Sequence, residues 1–234
     1  MPETTRHDSS PASAQEPVRV LVTAGPTEEP IDEVRFVGNR SSGRMGVALA
    51  HAFADAGASV RLALGPVKVT PPAHDDIAVL PFRTSQDLEA LLRRELPDAD
   101  LVVMAAAVAD YRPRHTSCGK LRRAGGLEDD RPALTIELDT VPDLLATTRG
   151  LRKSGSRTFG FALEPAEQLR ASALAKLKRK DLAGIVANPL ETMDAADIDG
   201  TLFLRDGREL RPDGRLAKDA FARWLAPILL ATLR

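Results

Sequence analysis

The chain has 234 residues, 43% hydrophobic and 28% charged, with a formal net charge of −1; it can bury a substantial core and has the composition of a soluble globular domain. Near-neutral charge argues against bulk attraction to nucleic acid or an anionic membrane, so any basic site must be local. A single cysteine, Cys118, excludes an internal disulfide and a cysteine-based metal site, and no apolar run approaches membrane-spanning length.

Residues 1–17 are polar, rich in Pro and Ser, and lack the apolar stretch of a signal peptide, so they read as a disordered tail ahead of one domain, 18–234. Cytoplasmic location is the expectation. An apolar run predicts a strand over 18–24, broken at Gly25-Pro26-Thr27. A polar loop with Arg35 and Asn39 follows, and Ser41-Ser42-Gly43 opens a helix over 43–56 whose Met45, Leu49 and Phe53 share a face. Strands are predicted at 58–64 and 77–82; Thr84 with Asp87 resembles a capping box for a helix over 85–96. The run LVVMAAAVA, with a strand at 100–105, is apolar on both faces, as in a covered parallel sheet. Residues 112–132 lack periodicity and read as a mobile lid loop. Strands at 133–138, 157–162, 184–188 and 201–205 then alternate with helices at 142–150, 166–180 and 215–232. This alternation predicts an α/β fold: three layers around a Rossmann-like, mostly parallel sheet, with ligands beyond the carboxyl ends of its strands.

A strand ending in a glycine turn, followed by a helix entered through small hydroxyl residues, is a place to seat an anion. It is not the dinucleotide glycine fingerprint, because Gly25 stands alone and Pro26 and Pro30 forbid an immediate helix. Asn39, Ser41 and Ser42 serve equally well as an N-cap, and Arg35 as a surface partner of Glu28, Glu29, Asp32 or Glu33. In MAAAVADYRP, small residues let a flat ligand approach the backbone and Asp110 supplies a carboxylate; tight packing and a turn aspartate account for them too. Lys120, with Arg122 and Arg123, forms a movable basic patch suited to closure over a polyphosphate, or a solvated loop. Lys176 and Lys180 lie four apart on one helix face with no acidic neighbour at helical spacing, a repulsion an anion would relieve. Phe161 ends a strand and packs either on a ribose or base or in the core. Pro142-Asp143 is ordinary helix-start chemistry.

Six blocks in order, VLVTAGPTEEPID-VRF-NRSSGRMG, AAAVADYRP, GKLRR, VPDLL, GFALE and KLKRKDLAGIVAN, span roughly residues 18–190 and resemble the phosphopantothenoylcysteine synthetase family. The resemblance implies a Rossmann-like domain with a strand-and-loop flap, working as a homodimer. It implies that 4′-phosphopantothenate, L-cysteine and CTP give phosphopantothenoylcysteine, CMP and pyrophosphate through an acyl-cytidylate. On the matching motifs, Asn39, Arg35 and Lys120 take the catalytic roles. Gly25, Met104, Ala105, Ala106, Asp110, Pro142, Asp143, Leu144, Leu145, Phe161, Lys176 and Lys180 take the nucleotide, and Ser41, Ser42 and Gly43 take phosphate or substrate. Mg²⁺ is expected on the triphosphate, without an assigned protein ligand. Bifunctional relatives carry a flavin-binding decarboxylase domain ahead of this one; only about seventeen residues precede the first strand here, so no flavin is expected. Gly38 before the asparagine, arginines in GKLRR and Pro165 after GFALE depart from the family pattern.

Two other readings compete. A nicotinamide-dependent reductase needs a glycine-rich first turn and usually a Tyr and Lys four apart, but the only tyrosine is Tyr111 and position 115 is His115. A non-catalytic nucleotide-binding module predicts binding without turnover.

Overall fold

The computed structural model describes residues 16–121, 134–192 and 195–234. The first strand, β1 (Arg19–Ala24), is buried on both faces: Val20, Val22 and Ala24 join one apolar cluster and Leu21 the other. That pattern belongs to a central parallel strand covered by helices on each side. In chain order there follow β2 (Glu28–Pro30), β3 (Phe36–Gly38), α1 (Arg44–Asp55), β4 (Ser59–Leu64), β5 (Ile77–Pro81) and α2 (Ser85–Glu95). Next come β6 (Leu101–Met104), β7 (Tyr111–Pro113), β8 (Leu138–Thr140), α3 (Leu144–Thr147), β9 (Arg157–Glu164), α4 (Leu169–Arg179) and β10 (Gly184–Pro189). The chain ends with β11 (Asp197–Ile198), β12 (Thr201–Leu204), β13 (Glu209–Leu210), β14 (Leu216–Ala217) and α5 (Lys218–Ala231).

Among the described residues eight strands form the main sheet in the order β13-β12-β10-β9-β6-β1-β4-β5; β12 runs antiparallel to both its neighbours, β10 and β13, and all other pairings are parallel. On one face α1 and α5 bury Leu49, Phe53, Phe221, Leu225 and Leu229. On the other, α2, α3 and α4 bury Leu88, Leu92, Leu144, Leu145, Ala173 and Leu177. The three-layer expectation holds. The antiparallel pairs β2–β3 and β7–β8 pack on each other outside the sheet as a flap.

Several expected boundaries shift for local reasons. The helix expected over 142–150 stops at Thr147 and continues as a 3₁₀ turn, Arg149–Leu151. There the Thr148 hydroxyl donates back to the Leu144 carbonyl, and Gly150 weakens any further turn. The strand expected at 133–138 is instead Leu138–Thr140, because its partner β7 is only three residues long and ends at Pro113. Residues 112 and 113 of the expected lid loop thus lie in a strand. Leu216–Ala217 pairs with β11 rather than joining the last helix, and α4 starts at Leu169. The capping box at Thr84 and Asp87 is present with both of its hydrogen bonds. Most of the expected tail, and lid residues 122–132, lie outside the described residues.

Candidate functional site

From β1 the chain builds β4 and β5 to one side, then returns as β6 on the other. A crevice opens where such a sheet reverses direction, beyond the carboxyl ends of β1 and β6. Gly25 turns the chain there with φ 83°, and Ala107 exchanges hydrogen bonds with it: Ala107 N–H donates to Gly25 O at 2.8 Å, and Thr27 N–H to Ala107 O at 3.2 Å. Two buried hydroxyls complete the shelf. Thr23 Oγ1 accepts from Ala106 N–H at 3.1 Å and Thr27 Oγ1 from Ala109 N–H at 3.0 Å. The run of small residues after β6 is therefore held by Thr23 of β1 and by Thr27 in the turn that follows it.

Two cavities meet on this shelf, sharing Ala106, Ala107 and Phe161. The larger, about 400 Å³, is lined by Met104, Asp110, Pro142–Leu145, Phe161, Lys176, Arg179 and Lys180. Lys176 pairs with Glu164, and Lys180 with Asp143 at 3.1 Å. This corrects the expectation drawn from the helix alone: α4 offers these lysines no acid, but β9 and the turn before α3 do. Asp143 also caps α3, accepting from Leu145 N–H. Both lysines are thus anchored at the cavity wall, where an anion need only share them.

The smaller cavity, about 230 Å³, lies at the amino end of α1 and is lined by Ser41, Ser42, Gly43, Ala105, Asn188, Thr192 and three basic residues, Arg40, Arg44 and Lys218. Gly43 is the N-cap at φ 71°, with no side-chain cap on the helix. Ser41 Oγ accepts from Gly43 N–H, at 3.4 Å. The N-cap reading of Asn39, Ser41 and Ser42 is therefore not the one realised, and the first-turn N–H groups stay available to a ligand. No carboxylate lines this cavity among the described residues. The site is electropositive and preset for anions.

The flap carries Arg35 and faces the loop bearing Lys120. Asp32, buried at 3% exposure, accepts from Val34, Arg35 and Leu121 N–H groups at 2.8, 2.7 and 3.0 Å, and pairs with Arg35 Nη1 at 2.6 Å. Burial opposes its charged form, but the three N–H donors and the guanidinium outweigh it and hold the carboxyl below its ordinary 3.8. Arg35 Nη2 also donates to Leu121 O, and Gly119 N–H to Glu33 Oε1. The surface-pair reading of Arg35 is therefore realised with Asp32, while the same arginine ties down the loop.

Of the predicted residues, Met104, Ala106, Asp110, Pro142, Asp143, Leu144, Leu145, Phe161, Lys176 and Lys180 share the larger cavity. Ser41, Ser42, Gly43 and Ala105 line the smaller. Gly25 lies behind it, in close approach to Gly43. Asn39 lines neither cavity, but its Nδ2 donates at 2.9 Å to the carbonyl of Val108, which lines the larger. Arg35 and Lys120 line neither cavity; Arg122 and Arg123 lie outside the described residues. Sequence reasoning missed Thr23, Thr27, Arg179, Asn188 and Lys218. Thr23 and Thr27 left one signal, hydroxyls at the end of an otherwise apolar run.

A comparison with protein families matches residues 16–231 to the DNA/pantothenate metabolism flavoprotein C-terminal domain. Among curated proteins, the chain is 38% identical over 216 residues to a cysteine/cysteine sulfinic acid decarboxylase of an unknown prokaryotic organism, covering 88% of this chain and 58% of that one. It is 36% identical over 208 residues to the coenzyme A biosynthesis bifunctional protein CoaBC of Vibrio cholerae, covering 87% of this chain and 50% of that one. The chain thus spans little more than half the length of these relatives. Among solved structures, the C-terminal domain of a CoaBC protein superposes with a TM-score of 0.76 at 30% identity, covering 94% of this chain and 98% of that one. On this match across nearly its whole length, the chain belongs to the DNA/pantothenate metabolism flavoprotein C-terminal domain family, the family of the C-terminal domain of CoaBC.

Proposed function

We propose that this domain joins 4′-phosphopantothenate to L-cysteine, consuming CTP and releasing CMP and pyrophosphate, within coenzyme A biosynthesis. The observation that carries the reading is the pair of joined cavities: one at an uncapped helix terminus whose charged lining residues, among those described, are all basic, the other with anchored lysines and a small-residue shelf. A nucleotide base and ribose fit the larger, beside Phe161 and the backbone of Ala106–Asp110. Phosphate groups fit the smaller, on the N–H groups following Gly43 and on Arg40, Arg44 and Lys218.

In the first step a carboxylate oxygen of the acid attacks the α-phosphorus, the bond to the β-phosphate breaks, and pyrophosphate leaves. In the second the cysteine amine attacks the acyl carbon, the bond to the CMP oxygen breaks, and the amine proton passes to solvent. A free carboxylate is a poor acyl donor, so the first step supplies the leaving group. Asn39, with one amide hydrogen on Val108 O, has its other donor for the acyl or phosphate oxygen. Arg35 orients the acid, and Lys120 offsets charge during transfer to cysteine from a loop fixed to the flap. Mg²⁺, expected on the triphosphate, would be held mainly by phosphate oxygens and water. When bound, Mg²⁺ neutralises triphosphate charge.

A homodimer is part of the proposal. Val34, Phe36, Tyr111, Leu134, Ile136 and Leu138 are all exposed on or beside the flap strands, a concentration that suits a second copy of this chain. Phe36→Asp should halve the mass seen by sedimentation; an unchanged mass rejects that interface.

The activity test withholds cysteine. Protein, CTP and Mg²⁺ should release pyrophosphate only when 4′-phosphopantothenate is added, and ATP in place of CTP tests the base. Nucleotide binding without release would replace the ligase with a binding module. Lys120→Ala should impair amide formation more than pyrophosphate release; equal loss of both removes its assigned role.

A further inference from the structure

At the other end of the sheet, the amino ends of β9 and β10 and the carboxyl end of antiparallel β12 frame a cleft of about 760 Å³. Six of its basic side chains, Arg149, Arg152, Lys153, Arg157, Arg205 and Arg208, meet two aspartates, Asp181 and Asp206. Asp181, in the left-handed region at φ 53°, gathers Arg149 at 2.5 Å and Arg205 on its carboxylate and Arg152 on its carbonyl at 3.2 Å. Arg208 pairs with Asp206 at 2.7 Å, and Lys153 with Asp100 at 2.5 Å. Arg152 and Arg157 reach main-chain carbonyls only: Arg152 those of Asp181 and Leu145, Arg157 those of Thr232 and Gly155. Among the described residues, neither has a carboxylate partner.

Two polar atoms of this same cleft are buried without a hydrogen-bond partner, Thr158 Oγ1 and Arg152 Nε. Thr158 is only 3% exposed. Native interiors leave few such atoms unmatched, and two in the lining of one basic cleft point to a partner that the described residues do not supply. Burial holds the Arg152 guanidinium below its ordinary value; Asp181 opposes the shift, while Arg149 and Arg205 add to it. An anion would satisfy the hydroxyl, the Nε–H and the surplus charge together.

We propose that this cleft is a second anion site, separate from the candidate site, which takes a small molecule carrying two or more linked phosphates. Planar arginine forks match phosphate oxygens two at a time. The six basic side chains come from four segments, around Arg149–Lys153, Arg157, Arg205 and Arg208, more than a single phosphate can engage. The volume falls within the range of small-ligand cavities.

Inorganic tripolyphosphate is the probe, titrated calorimetrically into the Arg40→Gln/Arg44→Gln protein, in which the smaller cavity proposed for the nucleotide's phosphates is weakened. Saturable binding is expected, falling on the order of tenfold when Arg149→Gln and Arg208→Gln are added. Thr158→Val should weaken it about threefold while leaving the ligand-free melting temperature unchanged or higher, because the variant removes an unmatched polar atom. Absence of saturable binding at millimolar tripolyphosphate overturns the site, as do cleft variants that bind like their parent. Equal competition by a hexaglutamate peptide overturns the phosphate assignment.

Discussion

Replacing Gly46 with alanine tests whether close helix-strand contact sets the geometry of the candidate site. Gly46 lies in the first turn of α1, and a Cβ there would stand 2.4 Å from the Ala24 Cβ and 3.1 Å from the Ala24 Cα and the Thr23 carbonyl. Ala24 and Thr23 are fully buried in the central strand, so the helix must give way. Restoring a 3.4 Å contact moves α1 outward by about 1 Å. Alanine improves helix propensity by about 1 kcal/mol, whereas overpacking a core costs about 1–3 kcal/mol. Rigid backbone neighbours place this position at the upper end, so we expect a net loss of about 1–2 kcal/mol. For a domain of this size that lowers the melting temperature by about 2–8 °C. The same displacement pulls the first-turn N–H groups from the smaller cavity, so nucleotide affinity should fall on the order of tenfold. Thermal melts and nucleotide titration measure both. A variant that melts higher and binds as tightly would refute the role given to this contact.

Thr27→Val removes the acceptor for Ala109 N–H inside a fully buried site, and chemical denaturation should register a loss of about 1–3 kcal/mol; no loss would mean the shelf is held some other way. Lys176→Gln strands Glu164 at the cavity wall and should weaken nucleotide binding on the order of tenfold. Adding Glu164→Gln should recover part of that loss, and strict additivity would show that the two side chains are not coupled at the site. Asp32 has a lowered folded-state pKa, so its contribution is complete above 3.8 and disappears as pH falls through the folded value. The protection of amides in residues 28–38 and 116–121 against hydrogen exchange, relative to the unfolded chain at the same pH, should therefore fall below about pH 4, and Asp32→Asn should show that loss of protection at neutral pH. Equal protection in the variant would separate the flap from this carboxylate.

Regular alternation made most of the sheet legible in the sequence, because strands buried on both faces and helices with one apolar stripe leave different periods. Thr84 and Asp87 marked their helix start through purely local hydrogen bonds. Tertiary partners were less accessible. Lys176 and Lys180 lack acids along α4, yet Glu164 and Asp143 reach them from elements that only folding brings alongside. The flap is similar: Tyr111–Pro113 and Leu138–Thr140 pair across a long connection, so neither segment alone announces a strand. Asp110, Phe161 and the alanine shelf were readable because residues at the carboxyl ends of parallel strands converge by topology. Thr23 and Thr27 were not read as supports, since their partners lie 83 and 82 residues away.

The strand order also dictates when the domain can mature during synthesis. β1 is made first but lies between β4 and β6, and β6 in turn waits for β9 on its far side. An emerging amino-terminal half would therefore present a sticky, half-paired ribbon, a load for chaperones while the remainder is translated. Because the candidate pocket draws on segments from Arg40 to Lys218, nucleotide cannot rescue such a fragment; it can reward only the finished sheet.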